Sequence, residues 1–197
     1  MAAPAFSIRS VTKSVRTALA LLSFAATNLP VWPGAHALAA QSARPILECP
    51  DPETVITSPT VAGQVWGDRL SYEPLCLYLA VGGLAAINAA KATDLYALAR
   101  IRSRYDLSRC EEWPHGPSSS ATAAMRMNAE QALVQAGVKT TLPQMIAAAQ
   151  ADETFDYESE GLEQMCDGGA LKPVSAWKAE RDRIKASAEA VSKPQAQ

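Results

Sequence analysis

Residues 73–90 read EPLCLYLAVGGLAAINAA, and this stretch decides the fold of the chain. After Glu73 it carries no charge, and it is apolar on almost every side of a helix. Such a helix is buried either in a protein core or in a membrane. The stretch is short for a membrane span, which needs about 20 apolar residues, and Gly82, Gly83 and Asn88 interrupt it. We therefore predict that it forms the buried central helix of a globular domain.

The segments around this helix have the pattern of further helices, because apolar residues recur in them at helical spacing. These helices are predicted over 61–70, 94–107, 119–137, 142–153 and 175–191. The last is rich in alanine and charge, with a narrow apolar stripe, so we expect it to be peripheral. Alternation typical of a strand does not persist anywhere. The predicted fold class is all-α, a small bundle of five to six helices stapled by two disulfides, with a charged C-terminal helix.

The first 39 residues have the pattern of a secretory signal. Arg9, Lys13 and Arg16 precede the uncharged run 17–27, and alanine-rich cleavage sites end at Ala37 and Ala39. We expect a periplasmic or secreted protein with no stable membrane insertion after cleavage. The predicted domains are a cleaved signal peptide (1–39), an extended N-terminal arm (40–60), a helical domain (61–172) and a peripheral C-terminal helix and tail (173–197).

Charge and histidine content exclude several classes of function. Removing the three basic residues of the signal leaves 15 basic and 20 acidic residues, a net charge of −5. Nucleic acid is therefore not an expected partner, because phosphates require a basic face. His115 is the only histidine after the signal. A zinc site with several histidines cannot form in one such chain, and a catalytic triad would have to use His115.

Four cysteines follow the signal, namely Cys49, Cys76, Cys110 and Cys166. Their wide spacing contains no Cys-x-x-Cys pair, so two structural disulfides are expected in an exported chain. Three pairings are possible. We favour Cys76–Cys110, which would close a hairpin of two helices, and Cys49–Cys166, which would tie its flanks together.

The acidic stretch 152–167 is the most site-like feature of the sequence. It contains Asp152, Glu153, Asp156, Glu158, Glu160, Glu163 and Asp167, with no basic residue between Lys139 and Lys172. An EF-hand register fails in detail, because the third and fifth positions hold glutamates and Glu163 stands where an apolar residue is needed. A solvated acidic face is the simplest interpretation. A docking surface for a basic partner, through Asp156, Glu158, Glu160 and Glu163, is the functional alternative.

The loop around Trp113, Pro114 and His115 is a second candidate, because an aromatic residue and a histidine beside Cys110 suit a partner contact or a general base. Arg100, Arg102 and Arg104 could bind an anion, but pairing with the acidic stretch is favoured. The methionines at 125, 127, 145 and 165 could suggest copper, although core packing is the commoner role. No metal site and no cofactor are predicted.

The sequence lacks the nucleotide-binding, serine-hydrolase and zinc-protease motifs that would identify an enzyme. Cys76-Leu77-Tyr78 followed by Gly82-Gly83 resembles a segment of small helical periplasmic immunity proteins, and no functional residue carries over. The leading hypothesis is an exported protein-binding module that contacts another exported or envelope protein as inhibitor, immunity protein or accessory subunit. The alternatives are a small hydrolase that uses acidic residues and a carrier of a metal or small ligand.

Overall fold

A computed structural model describes residues 44–159 and 161–192, and within them the chain is all-α. The helices are α1 (Pro52–Thr57), α2 (Pro59–Gly67), α3 (Pro74–Ala85), α4 (Ala89–Ser108), α5 (Pro117–Gln135), α6 (Leu142–Gln150), α7 (Leu162–Met165) and α8 (Val174–Ser192). The described part therefore has eight helices, more than the five to six predicted. The extra ones are the short α1, inside the arm predicted to be extended, and the short α7. The predicted signal peptide lies outside the described residues.

The α3–α4 hairpin forms the centre of the fold. In α3, nine of 12 residues are buried, as its uniformly apolar sequence predicts, and in α4 14 of 20 are buried. The turn between them ends at Asn88, whose side chain accepts a hydrogen bond from the Lys91 amide at 3.1 Å. Asn88 thus begins α4 earlier than the predicted start at 94, because an N-cap of this kind satisfies a first-turn amide.

The other helices pack around this hairpin in two groups. Helices α1, α2 and α5 pack on α3, while α6 packs on α4 and α8 packs on α6 and α4. A main core surrounds α3, and a second core joins the C-terminal half of α4 to Phe155, Tyr157 and Ile184. Ile184 is fully buried, so α8 is anchored by its narrow stripe although most of its surface is exposed.

The disulfide pairing predicted from the sequence is wrong. The bonds are Cys49–Cys76 and Cys110–Cys166, with Cα–Cα distances of 5.6 and 5.5 Å. In the hairpin, the ring of Tyr78 contacts that of Tyr96, so the residue level with Cys76 is near position 98. Cys110 lies 12 residues further along, which is roughly 18 Å at the helical rise. Because α4 is longer than α3, its end passes Cys76 and meets α7 instead.

The described helices include none that is both long enough and apolar enough to span a membrane. The most apolar helix, α3, has only 12 residues. Most of its apolar surface is covered by the neighbouring helices, although Leu75 is 39% exposed.

Candidate functional site

A buried polar network occupies the C-terminal half of α4. Arg102 is fully buried and donates hydrogen bonds to three backbone carbonyls, those of Leu70 (2.9 Å), Tyr72 (2.7 Å) and Thr154 (3.0 Å). Burial lowers the pKa of Arg102. The predicted pairing of this arginine with the acidic stretch is therefore not what the structure shows. Arg102 instead ties the segment before α3 and the segment after α6 to α4.

One turn further along α4, Asp106 and Arg109 form a buried ion pair. The Tyr157 hydroxyl donates to Oδ1 of Asp106 at 2.6 Å. Burial raises the pKa of Asp106, and the charge of Arg109 opposes that rise. The Arg109 guanidinium also stacks on two aromatic rings, 4.5 Å from the centre of Tyr105 and 4.8 Å from that of Trp177. These contacts hold the guanidinium in one orientation.

Arg109 also lines a cavity of about 600 Å³, here named the aromatic pocket. Four rings form much of its wall, and two leucines, a glycine and several polar side chains form the rest. The rings are Tyr105, Phe155, Tyr157 and Trp177, and the polar residues are Arg109, Glu158, Ser159, Glu163 and Gln164. Among these polar residues Arg109 is buried, whereas Glu158 and Glu163 are exposed at the mouth.

The structure thus separates the predicted acidic site into unrelated parts. Glu158 and Glu163 line the aromatic pocket, and Asp156 is half-buried outside it. Asp152 contacts Lys185 at 2.5 Å, which lowers the pKa of Asp152. Glu160 lies outside the described residues. Within the ranges 44–159 and 161–192, the acidic, cysteine and histidine side chains do not assemble into a group that could hold a metal ion.

A second cavity, here named the arginine cleft, lies between α4, α5 and the loop after Cys110. It has a volume of about 410 Å³, and three guanidinium groups line it, those of Arg100, Arg104 and Arg126. Trp113 lies in the same cleft and is 51% exposed. Hydroxyl groups of Ser103, Ser119 and Thr122 complete the polar part of the lining.

The charges of the arginine cleft are poorly balanced. Arg126 lies 3.8 Å from Glu130, and Glu130 also accepts a hydrogen bond from Tyr96 at 2.5 Å. Among the described residues Arg100 and Arg104 have no salt-bridge partner. A positive cleft on a chain whose net charge is negative favours an anionic ligand or partner surface.

His115 is exposed in the loop that follows Trp113, and it is not among the residues lining either cavity. The loop continues into α5, where the Gly116 amide donates to Oδ2 of Asp167 at 2.8 Å. The disulfide between Cys110 and Cys166 joins the two segments that carry Gly116 and Asp167. Trp113 and His115 therefore lie on a surface loop that is restrained by a disulfide and a hydrogen bond.

The methionines considered above as an alternative copper site have different environments. Met125 and Met145 pack against the main core, whereas Met127 is exposed on α5. Sequence reasoning missed Arg109, Tyr105, Trp177 and Arg126, which complete the two cavities. No local pattern distinguishes them, because each becomes part of a site only through packing between distant segments.

Comparison with known proteins returned no match of the chain to a protein-family model, to a curated protein or to a solved structure.

Proposed function

We propose that this protein is an exported binding module whose arginine cleft contacts an acidic surface of another exported or envelope protein. It would act there as an inhibitor, an immunity protein or an accessory subunit. The observation that carries the proposal is the half-exposed Trp113 beside three arginines in one cleft.

Tryptophan and arginine are the residues most enriched among the energetic hot spots of protein interfaces. A large exposed ring costs little conformational entropy when it binds, and a guanidinium can form paired hydrogen bonds with a carboxylate. Arg100 and Arg104 are available for such pairs because neither has a salt-bridge partner among the described residues. His115, two residues after Trp113 in the same loop, is also exposed.

Export is supported by the two disulfides and by the signal pattern of residues 1–39. Disulfides persist in oxidising compartments and are rare in the cytosol. A secretory signal also restricts the possible partners to proteins that are found in the same compartment.

The test is affinity capture from the envelope fraction of the source organism, with residues 40–197 as bait. A specific partner should be retained by the wild-type bait and lost by Trp113→Ala and Arg104→Ala baits, with affinity for the purified partner falling roughly 30-fold or more for a hot-spot residue. Val134→Ala and Lys139→Ala remove an exposed apolar side chain and an exposed cation that do not line the arginine cleft, and both baits should retain the partner. A partner that binds all four variants equally would rule out the cleft as the contact surface.

A further inference from the structure

The placement of charge in the arginine cleft points to the class of small ligand that it holds. We infer that the cleft binds an organic phosphate monoester, with the phosphate between Arg100 and Arg126 and a flat apolar body against Trp113. This inference concerns the cleft of the proposed function, and it rests on that function only where it predicts competition with the protein partner. The probe used below is 2-naphthyl phosphate, which has this chemistry.

The cations of the cleft lie at two levels along α4 and α5. The Tyr96 hydroxyl donates to Glu130, and the cleft residues lie one to three turns after Tyr96 on α4 and one to three turns before Glu130 on α5. The two helices are therefore antiparallel at the cleft. Arg100 and Arg126, here named the paired arginines, are each one turn from that hydrogen bond, so they lie at one level on opposite sides. Arg104 lies one turn further along α4, about 6 Å away at the helical rise.

The surroundings of Tyr78 support the closeness of the paired arginines. Burial raises the pKa of Tyr78, and the positive charges of Arg100 and Arg126 both oppose that rise. Both guanidinium groups are thus near one buried hydroxyl, which lies 3.5 Å from Oγ of the cleft residue Ser103. Two like charges around one point repel each other, and an anion placed between them is attracted by both.

The charge balance of the cleft favours a dianion. Among residues 44–159 and 161–192, Glu130 is the one acidic residue within salt-bridge distance of any of the three guanidinium groups, at 3.8 Å from Arg126. Three positive charges less one negative charge leave an excess of two. A phosphate monoester carries roughly two negative charges at neutral pH, and its oxygens accept paired hydrogen bonds from guanidinium groups. A sulfate monoester of the same shape carries one negative charge and leaves a positive charge uncompensated.

The loop end of the cleft determines the orientation of the ligand. Leu107 is seven residues after Arg100, roughly 10 Å along the helix, and Trp113 joins it from the loop. A flat body of two fused rings is long enough to extend from the paired arginines to the indole, where offset stacking stabilises it. Glu111 and Glu112 precede Trp113 and are exposed, so the negative charge of a ligand is favoured at the paired arginines and not at the loop.

Titration calorimetry on the oxidised residues 40–197 at fixed ionic strength tests this inference with three probes. We expect 2-naphthyl phosphate to bind with one-to-one stoichiometry. The matched 2-naphthyl sulfate has one charge less and should bind about fivefold more weakly. Inorganic phosphate lacks the rings and should bind about tenfold more weakly. The inference is overturned if 2-naphthyl phosphate fails to bind at millimolar concentration, or if the sulfate ester binds as tightly.

Two double variants locate the phosphate. Arg100→Gln with Arg126→Gln should weaken the binding of 2-naphthyl phosphate by roughly tenfold or more, because two guanidinium contacts are lost. Arg69→Gln with Arg183→Gln removes the same two charges from positions that do not line the cleft, and should bind the probe as the wild type does. Equal affinity in the two double variants would also overturn the inference.

A single variant locates the apolar body. Trp113 is 51% exposed, so Trp113→Ala is compatible with the fold. Its affinity for 2-naphthyl phosphate should fall to that for inorganic phosphate, while its affinity for inorganic phosphate should not change. Unchanged affinity for 2-naphthyl phosphate would rule out the orientation inferred here.

Competition separates this inference from the proposed function. Because both ligands occupy the arginine cleft, 2-naphthyl phosphate should release the captured partner from immobilised residues 40–197. If the probe binds as described but the partner binds the Trp113→Ala and Arg104→Ala baits normally, the proposed function fails and the inference stands. If those baits lose the partner but the probe does not bind the wild type, the inference fails and the proposed function stands.

Discussion

Three arginines at alternate positions of α4 have three different environments. Arg102 is fully buried and bound to carbonyls, Arg100 is half-buried in the arginine cleft, and Arg104 is exposed in the same cleft. The difference follows from helical geometry, because successive positions turn by about 100°, and alternate ones lie on opposite flanks. A charge buried without a carboxylate partner is expensive, so the three carbonyl contacts of Arg102 are needed to keep it in the core.

Replacing Arg102 therefore tests the buried network. We expect Arg102→Met to lower the free energy of unfolding by about 3–5 kcal/mol, because three buried carbonyls lose their donor. Arg104→Met removes the same charge from an exposed position of the same helix, and should change stability by less than about 0.5 kcal/mol. Urea unfolding of the oxidised protein measures both. Similar losses in the two variants would mean that the carbonyl contacts contribute little.

At the scale of elements, the two glycines of α3 have different roles. An added Cβ at Gly83 would lie 2.5 Å from the Val55 carbonyl oxygen and 2.8 Å from the Ala62 Cβ. At Gly82 the nearest atom would be Ile56 Cγ2, at an ordinary 3.7 Å. Only Gly83 is therefore required for the close approach of α1 and α2 to the central helix.

We expect opposite effects when each glycine becomes alanine. Gly83→Ala should destabilise the fold by about 1–3 kcal/mol, because the short contacts involve backbone and a packed methyl group. Gly82→Ala should be neutral or stabilising by up to about 1 kcal/mol, since alanine favours the helix. Thermal unfolding of the two variants side by side makes the comparison. A stabilised Gly83→Ala variant would contradict the described packing of α1 on α3.

The helices also show how much of the secondary structure the local sequence pattern predicts. The apolar stretch 73–90 predicted a buried central helix, and α3 is that helix, but it ends at Ala85 because the turn before Asn88 interrupts the stretch and leaves Ile87 exposed. The arm 40–60 was predicted as extended from its prolines, yet Asp51 and Ser58 cap α1 and α2, with Pro52 and Pro59 in their first turns. Proline is compatible with a helix start, because the first amides lack helical partners. Proline content therefore could not distinguish an extended arm from two short capped helices.

At the scale of the whole molecule, each disulfide attaches a peripheral segment to one end of the central hairpin. Cys49 ties the N-terminal arm to the start of α3, and Cys166 ties α7 to the segment just after α4. The second bond also braces the wall of the aromatic pocket and the loop that carries Trp113. Both cavities therefore include residues within three positions of Cys110 or Cys166.

Peptide mapping without reduction should yield one peptide containing Cys49 and Cys76 and another containing Cys110 and Cys166. The bonded cysteines are 27 and 56 positions apart in the sequence. In the chain-entropy description, closure of the two loops stabilises the fold by about 3.5 and about 4 kcal/mol, so Cys110→Ser with Cys166→Ser should cost slightly more than Cys49→Ser with Cys76→Ser. Chemical denaturation of the two double variants gives the costs. A peptide joining Cys76 to Cys110 would contradict the topology described above.

The candidate sites were predictable only as separate residues. Trp113, His115, Glu158 and Glu163 were identified from their loop position or their acidic surroundings. Their neighbours were not, because Arg126 comes from α5, Arg109 follows the last residue of α4 and Trp177 comes from α8. A cavity forms between several segments of the chain, and the sequence alone does not give the distances between those segments.

The sequence by itself determined that the protein is all-α and that the apolar stretch 73–90 contains its buried central helix, α3. Both follow from helical periodicity and apolar composition, which act over a few residues. Only the tertiary structure decided the cysteine pairing, the burial of Arg102 and the separation of the acidic stretch into a pocket rim and isolated contacts. The physical reason is that α4 is longer than α3, so the end of α4 extends beyond the start of α3. This difference in length determines which distant residues meet. It depends on the cap at Asn88 and on packing between helices.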